Sequence, residues 1–151
     1  MLMVAAVLVL FGVWLSAKWN FANALSTRAD QKEIADLAVN LAPSDPQTRF
    51  AAAAIYQRSF DTADQERSLA EYERLAALSP DNYLCWLELG HARERSGDQP
   101  GAEIAMKRAL DLAPNYADVQ WAYGNTLLRA GKADDGFLFI SSAATALLRR
   151  S

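Results

Sequence analysis

The amino-acid sequence predicts an all-α solenoid of paired helices, led by a long N-terminal hydrophobic helix. Three observations carry that expectation. Small, apolar and turn-forming residues recur at an interval of 34 along the last two thirds of the chain. The apolar residues between those turns fall at helical spacing. The first seventeen residues carry no charged side chain. A fixed period of roughly 20–50 residues marks stacked supersecondary units, each of which buries its apolar face only against its neighbours.

The uncharged run Met1 to Ala17 is broken by Lys18, with Trp14, Trp19 and Phe21 around it. A helix that crosses a bilayer needs roughly 20 apolar residues. The run reaches that length if Lys18 snorkels and the aromatic residues sit at the interface. Residues 1–24 are therefore expected to form a transmembrane or lipid-embedded helix, with Leu8, Leu10, Phe11, Trp14, Leu15, Lys18 and Trp19 in contact with lipid. Two other readings stand beside it. Ala22-Asn23-Ala24 has the small-residue pattern of a signal-peptide cleavage site, although no basic residue precedes the apolar run. Burial against other protein chains would also hide the segment.

Residues 25–45 read as an amphipathic helix, the second half of a repeat. Ile34, Leu37, Ala38 and Leu41 form its apolar stripe, and Asp30, Lys32, Glu33 and Asp36 lie elsewhere. No proline or glycine occurs between Val13 and Ala42. The two segments thus form either one rod of about 40 residues, about 60 Å long, or two helices with a cap at Ser26 or Asp30.

Residues 46–151 contain three copies of one unit, 46–82, 83–116 and 117–150. Pro80 and Pro114 are 34 residues apart, as are Gly90 and Gly124, and Gly97 and Gly131. Tyr72, Met106 and Ile140 keep the interval, as do Leu75, Ala109 and Ala143. The first helix of the first copy is offset by 37, which places three extra residues in a turn around Ser59 to Glu66. Small residues at Ala53, Gly90 and Gly124 allow the two helices of a unit to approach. Tyr72, Met106 and Ile140 are expected to fill the space between adjacent units. Pro80 and Pro114 cannot continue the preceding helix, and Gly97-Asp98 and Gly131-Lys132 close the first helix of each pair.

The middle copy, Trp86-x2-Leu89-Gly90, then Ala102-x3-Met106, Ala109 and Pro114, resembles the tetratricopeptide repeat (TPR) family. Arg93 stands where an aromatic is commoner. The first copy keeps Ala53, Tyr56, Tyr72 and Pro80. The third keeps Gly124, with Gln120 in place of the tryptophan and Leu148 in place of the proline. The resemblance spans about 105 residues and implies a TPR-type helix-turn-helix solenoid.

It also implies a concave surface lined by the first helix of each pair. Phe50, Leu87 and Trp121 would line it, beside Arg58, Arg95 and Arg129, with His91 and Asn125 between them. Such a face suits an acidic amphipathic peptide, a partner helix or lipid headgroups, unless the arginines only pair with local acids. The family members that clamp a C-terminal carboxylate use lysine and asparagine where Phe50 and Ala54 stand, so that activity is not expected.

No acid–base pair, activated nucleophile, phosphate loop or metal-ligand spacing occurs, and neither enzyme activity nor a cofactor is expected. One histidine and one cysteine exclude histidine clusters and internal disulfides, and Cys85 reads as a small buried hydrophobe. A net charge of −3 argues against nucleic-acid binding.

The last helix, Phe137 to Leu148, is apolar around much of its circumference, and no polar capping helix follows it. The chain is then either part of something longer, or this face is covered by another molecule. Phe137, Phe139, Ile140, Leu147 and Leu148 are the candidate self-association residues, which would dock head-to-tail onto the helix of residues 25–45. The function expected is a membrane-anchored, non-enzymatic TPR scaffold for protein partners, in a cell envelope or an extracellular assembly. One alternative is a filament or tube of stacked copies with their N-terminal helices in lipid or a shared hydrophobic layer. The other is an accessory subunit of an envelope secretion or polysaccharide-export machine.

Overall fold

The computed structural model describes residues 11–21 and 32–148, all helix and turn, with no strand among them. Among the described residues eight helical stretches follow in order: α1 (described over 11–21), α2 (Lys32–Leu41), α3 (Pro46–Gln57), α4 (Thr62–Leu78), α5 (Tyr83–Ser96), α6 (Gln99–Leu112), α7 (Ala117–Arg129) and α8 (Ala133–Leu148). From α3 onward they pack as three hairpins, α3 on α4, α5 on α6 and α7 on α8. Each second helix also packs against the first helix of the next pair, and α2 packs on α3 as such a second helix. This is the TPR-like all-α solenoid that the repeat implied.

Local chemistry sets the helix ends. Asp45 caps α3 by accepting the Thr48 amide at 2.9 Å, with Pro46 in the first turn. Asp61, Asn82 and Asp98 cap α4, α5 and α6 in the same way, accepting amides two or three residues ahead. Gly97 and Gly131 turn the chain at φ 82° and 77°, a left-handed conformation that costs glycine little.

The three extra residues of the first copy are not in a turn. α4 has 17 residues where α6 has 14, and it begins almost one turn earlier. Adding nearly a full turn of helix keeps the faces in phase, which a looped insertion would not need to do. The added turn carries Asp64, which pairs with Lys32 of α2.

The core forms two main clusters. Ala53, Tyr72, Leu75, Cys85, Leu89 and Ala105 make the first; Leu87, Met106, Ala109, Val119, Tyr123 and Leu127 make the second. Met106 and Ile140 were expected between units, yet each also fills the space inside its own. A Cβ on Gly90 would meet Met106 at 2.8 Å, and one on Gly124 would meet Ile140 at 2.8 Å and the Gly136 carbonyl at 2.9 Å.

α2 is rotated from the expected stripe. Ala35 and Ala38 are fully buried, Ala35 in a cluster with Ala52 and Tyr56, while Leu37 is exposed. The seat on α3 is already filled by the Tyr56 ring, so only a small side chain fits beneath it. Polar contacts complete the joint: Tyr56 donates to Asp36, and Arg67 stacks on the Tyr56 ring at 5.6 Å.

At the N-terminus, the expected long apolar helix is not found among the described residues. No helix among the described residues is long and apolar enough to cross a membrane. Phe11, Trp14, Leu15 and Trp19 are exposed on α1, with Lys18 Nζ 5.6 Å from the Trp14 ring. Leu8 and Leu10 lie outside the described residues, as does the junction 22–31 on which the single-rod reading turns.

Candidate functional site

The first helices of the second and third pairs, α5 and α7, stand side by side and leave an open groove of about 290 Å³. It is lined by Leu87, His91 and Glu94 of α5 and by Asp118, Trp121, Ala122, Asn125 and Arg129 of α7. The groove forms because these residues recur at intervals of about four along each helix, one turn apart on a single face. Five of the eight expected concave-face residues meet here: Leu87, His91, Trp121, Asn125 and Arg129. Leu87 is buried and forms the floor, while the Trp121 ring is 51% exposed and forms a wall.

Two lining residues that the sequence reading missed set the electrostatics. Glu94 accepts from Arg129 at 2.5 Å and from the Thr126 hydroxyl at 2.6 Å, with His91 Nδ1 at 3.7 Å. Burial pushes the Glu94 carboxyl up, but the bonds from Thr126 and Arg129 outweigh it and hold the group below the usual carboxylate range. Asp118 adds a second acid at the α7 N-terminus. The available signal was positional. Gln57, Glu94 and Leu128 each precede one of the three arginines, so Glu94 lies one helical position from the basic row.

The arginines do not form a uniform basic row. Arg129 is neutralised by Glu94. Arg95 is held by Gln57, whose amide, turned to satisfy both neighbours, donates to the Tyr72 hydroxyl at 2.6 Å and accepts from Arg95 at 3.0 and 3.2 Å. Arg58 is exposed and makes no ion pair among the described residues; it borders a separate recess with Lys32, Ile55 and Ser59.

Phe50 lies apart from the α5–α7 groove. It packs edge-on to Tyr72, with centroids 6.2 Å apart. It also lines an apolar cavity of about 400 Å³ between α3 and α5, together with Ala51, Leu75, Leu84 and Cys85. The expected single stripe is therefore two recesses, one apolar and one mixed, because Glu94 and Asp118 join Leu87 and Trp121 in the lining of the second.

The terminal helix also differs from expectation. Phe139 meets the Tyr123 ring at 5.0 Å, and Ile140 packs on Gly124, so both face into the chain. Phe137, Leu147 and Leu148 are exposed, joined by Leu138. The face that packs on α7 must include every third or fourth residue, which takes Gly136, Ala143 and the two residues nearest them.

No protein-family profile matches the chain, and no curated protein matches it. Among solved structures it is similar to a crystal structure of MamA, with a TM-score of 0.69 and 14% identity over 78% of this chain and 67% of that one. It is similar to MamA MSR-1 C2 at a TM-score of 0.70 and 18% identity, over 91% and 79% of the two chains. It is also similar to MamA 41-end from Desulfovibrio magneticus RS-1, at 0.73 and 16% over 91% and 77%. Identities this low carry the fold alone, and that fold is the all-α, TPR-like solenoid built here from its residues.

Proposed function

We propose that this chain is a non-enzymatic interaction scaffold that holds a segment of a partner protein along the faces of α3, α5 and α7. One observation carries the reading: the α5–α7 groove leaves Trp121 half exposed above a buried leucine, beside an apolar recess that ends at Phe50. An exposed aromatic over an apolar floor is the usual form of an interface anchor. The segment that fits carries apolar side chains for the two recesses and an acidic residue for Arg58 or Arg95. Residues 1–24 would tether the scaffold to lipid, in a cell envelope, and flotation of the full chain with vesicles against a chain beginning at Leu25 tests the tether.

A peptide-display library panned on the full chain, with parallel panning on Trp121→Ala and Phe50→Ala, tests the groove. Enriched peptides that pair apolar with acidic residues and lose binding to both variants support the reading. Peptides indifferent to both substitutions, or none enriched, overturn it.

A second reading, association between copies of the chain, is favoured by the outer face of α8. There Phe137 and Leu138 are 62% and 66% exposed.

A further inference from the structure

We propose that the α5–α7 groove takes a basic side chain, an arginine or a lysine, from the partner segment that the scaffold holds. The inference rests on the scaffold reading and specifies what the mixed groove selects.

The ion pairs of the groove leave only electron-rich groups open. Glu94 is already taken, by the Thr126 hydroxyl, by Arg129 and by His91. Arg129, the cation of the groove, is spent in the same cluster. What stays open lies on α7, where Asp118, Trp121 and Asn125 line the groove three and four residues apart, on one face of the helix. Asp118 is exposed and makes no ion pair or side-chain hydrogen bond among the described residues. It is the uncompensated charge of the lining. Asn125 donates from Nδ2 to the Trp121 carbonyl at 2.8 Å. A carbonyl accepts only from the amide nitrogen, so the Asn125 side chain is fixed in that orientation and its Oδ1 is left to accept. Between the two stands the half-exposed Trp121 indole, whose face carries negative charge density.

A long basic side chain meets all of these groups at once. Its aliphatic stem supplies the apolar contact over Leu87 and Trp121. Its charged end lies on the indole face, the best aromatic partner for a cation. Its N–H groups point to Asp118 and Asn125, one turn to either side of Trp121. Asp118 also offsets the positive end of the α7 dipole, which a cation would otherwise meet. An acidic side chain would face Asp118 with like charge, in a groove whose cation already has its partner. A segment held along α3, α5 and α7 therefore carries its acidic residue towards Arg58 or Arg95 and its basic residue at the third hairpin.

The peptide-display library panned on the full chain tests this when Asp118→Lys is added to the variants. Asp118→Asn serves as a second variant, which removes the charge and keeps a polar side chain in the first turn. Peptides that need Trp121 should share an arginine or lysine at one position. In synthetic copies of those peptides, glutamine at that position should weaken binding to the unaltered chain about tenfold. Asp118→Asn should weaken binding of the basic peptides about fivefold, and Asp118→Lys should select peptides with an acidic residue in the same place. Peptides that need Trp121 but share no basic residue, or that bind Asp118→Lys as well as the unaltered chain, overturn this inference and leave the scaffold reading standing. If no peptide depends on Trp121 and Phe50, both are overturned.

Discussion

Gln120 donates from Nε2 to the carbonyl oxygen of Pro114 at 2.7 Å. It stands in the third copy where Trp86 stands in the second, and Trp86 Nε1 donates to the Pro80 carbonyl at 2.9 Å. In the first copy the same place is held by Arg49, whose Nε donates to the Pro43 carbonyl at 2.6 Å. An indole, an amide and a guanidinium thus supply one planar N–H to one carbonyl, six residues back, in the turn that precedes each hairpin. The departure at Gln120 from the family pattern keeps the bond and gives up the ring.

The three bonds differ in what else depends on them. Arg49 also pairs with Glu71, and both side chains are largely buried. Arg49→Ala should cost about 3 kcal/mol, because among the described residues it leaves Glu71 with only the exposed Arg74. Gln120→Ala should cost about 1 kcal/mol, the worth of one neutral hydrogen bond. Urea unfolding of the two variants checks the order, and a cheaper Arg49 substitution would refute it.

The hairpin glycines should not be equivalent. A Cβ at Gly124 meets the backbone carbonyl of Gly136, which cannot move without shifting α8, so Gly124→Ala should lose about 2 kcal/mol. At Gly90 the clash is with the Met106 side chain alone, which is unbranched and adapts. The gain of about 1 kcal/mol in helix propensity offsets it there, and Gly90→Ala should be near neutral. Thermal unfolding of the pair decides the matter; equal losses would show that the backbone contact is not the cause.

Glu94 ties the groove to pH. Its folded carboxyl titrates below the unfolded one, so the stability it contributes is complete above the unfolded value, near ~4.3. That contribution is lost as pH falls through the lower folded value. Glu94→Gln should therefore lower stability at neutral pH by about 1–2 kcal/mol and flatten the loss on acidification. Melting temperatures of both proteins from neutral to acid pH test this, and parallel curves would exclude Glu94 as a source.

Cys85 should be inert until the fold opens. It is 3% exposed, and burial pushes its thiol up, away from the reactive thiolate. Reaction with a thiol reagent should be more than about a hundredfold slower in buffer than in denaturant, since only the rare open state reacts. Comparable rates would place Cys85 at an accessible wall of the apolar recess.

Much of the candidate site was legible, because a repeat converts sequence position into spatial position. Leu87, Trp121 and Arg129 were placed by the TPR resemblance together with their distance from Gly90 and Gly124. Glu94 was not, since its role depends on Arg129, 35 residues on, lying across the joint between two hairpins. The splitting of the concave face into two recesses was hidden for the same reason.

The sequence by itself determined the all-α class, the period and the small residues at which the helices of a hairpin approach. Each depends on residues close along the chain, or on an interval the repeat makes explicit. Only the tertiary structure decided that Ala35, and not Leu37, faces α3, because the Tyr56 ring had already filled that seat. It alone decided that the extra residues of α4 are helical, and that Phe139 and Ile140 turn inward while Phe137 and Leu138 face out. These outcomes depend on which neighbour fills a space first, and close packing settles that between elements.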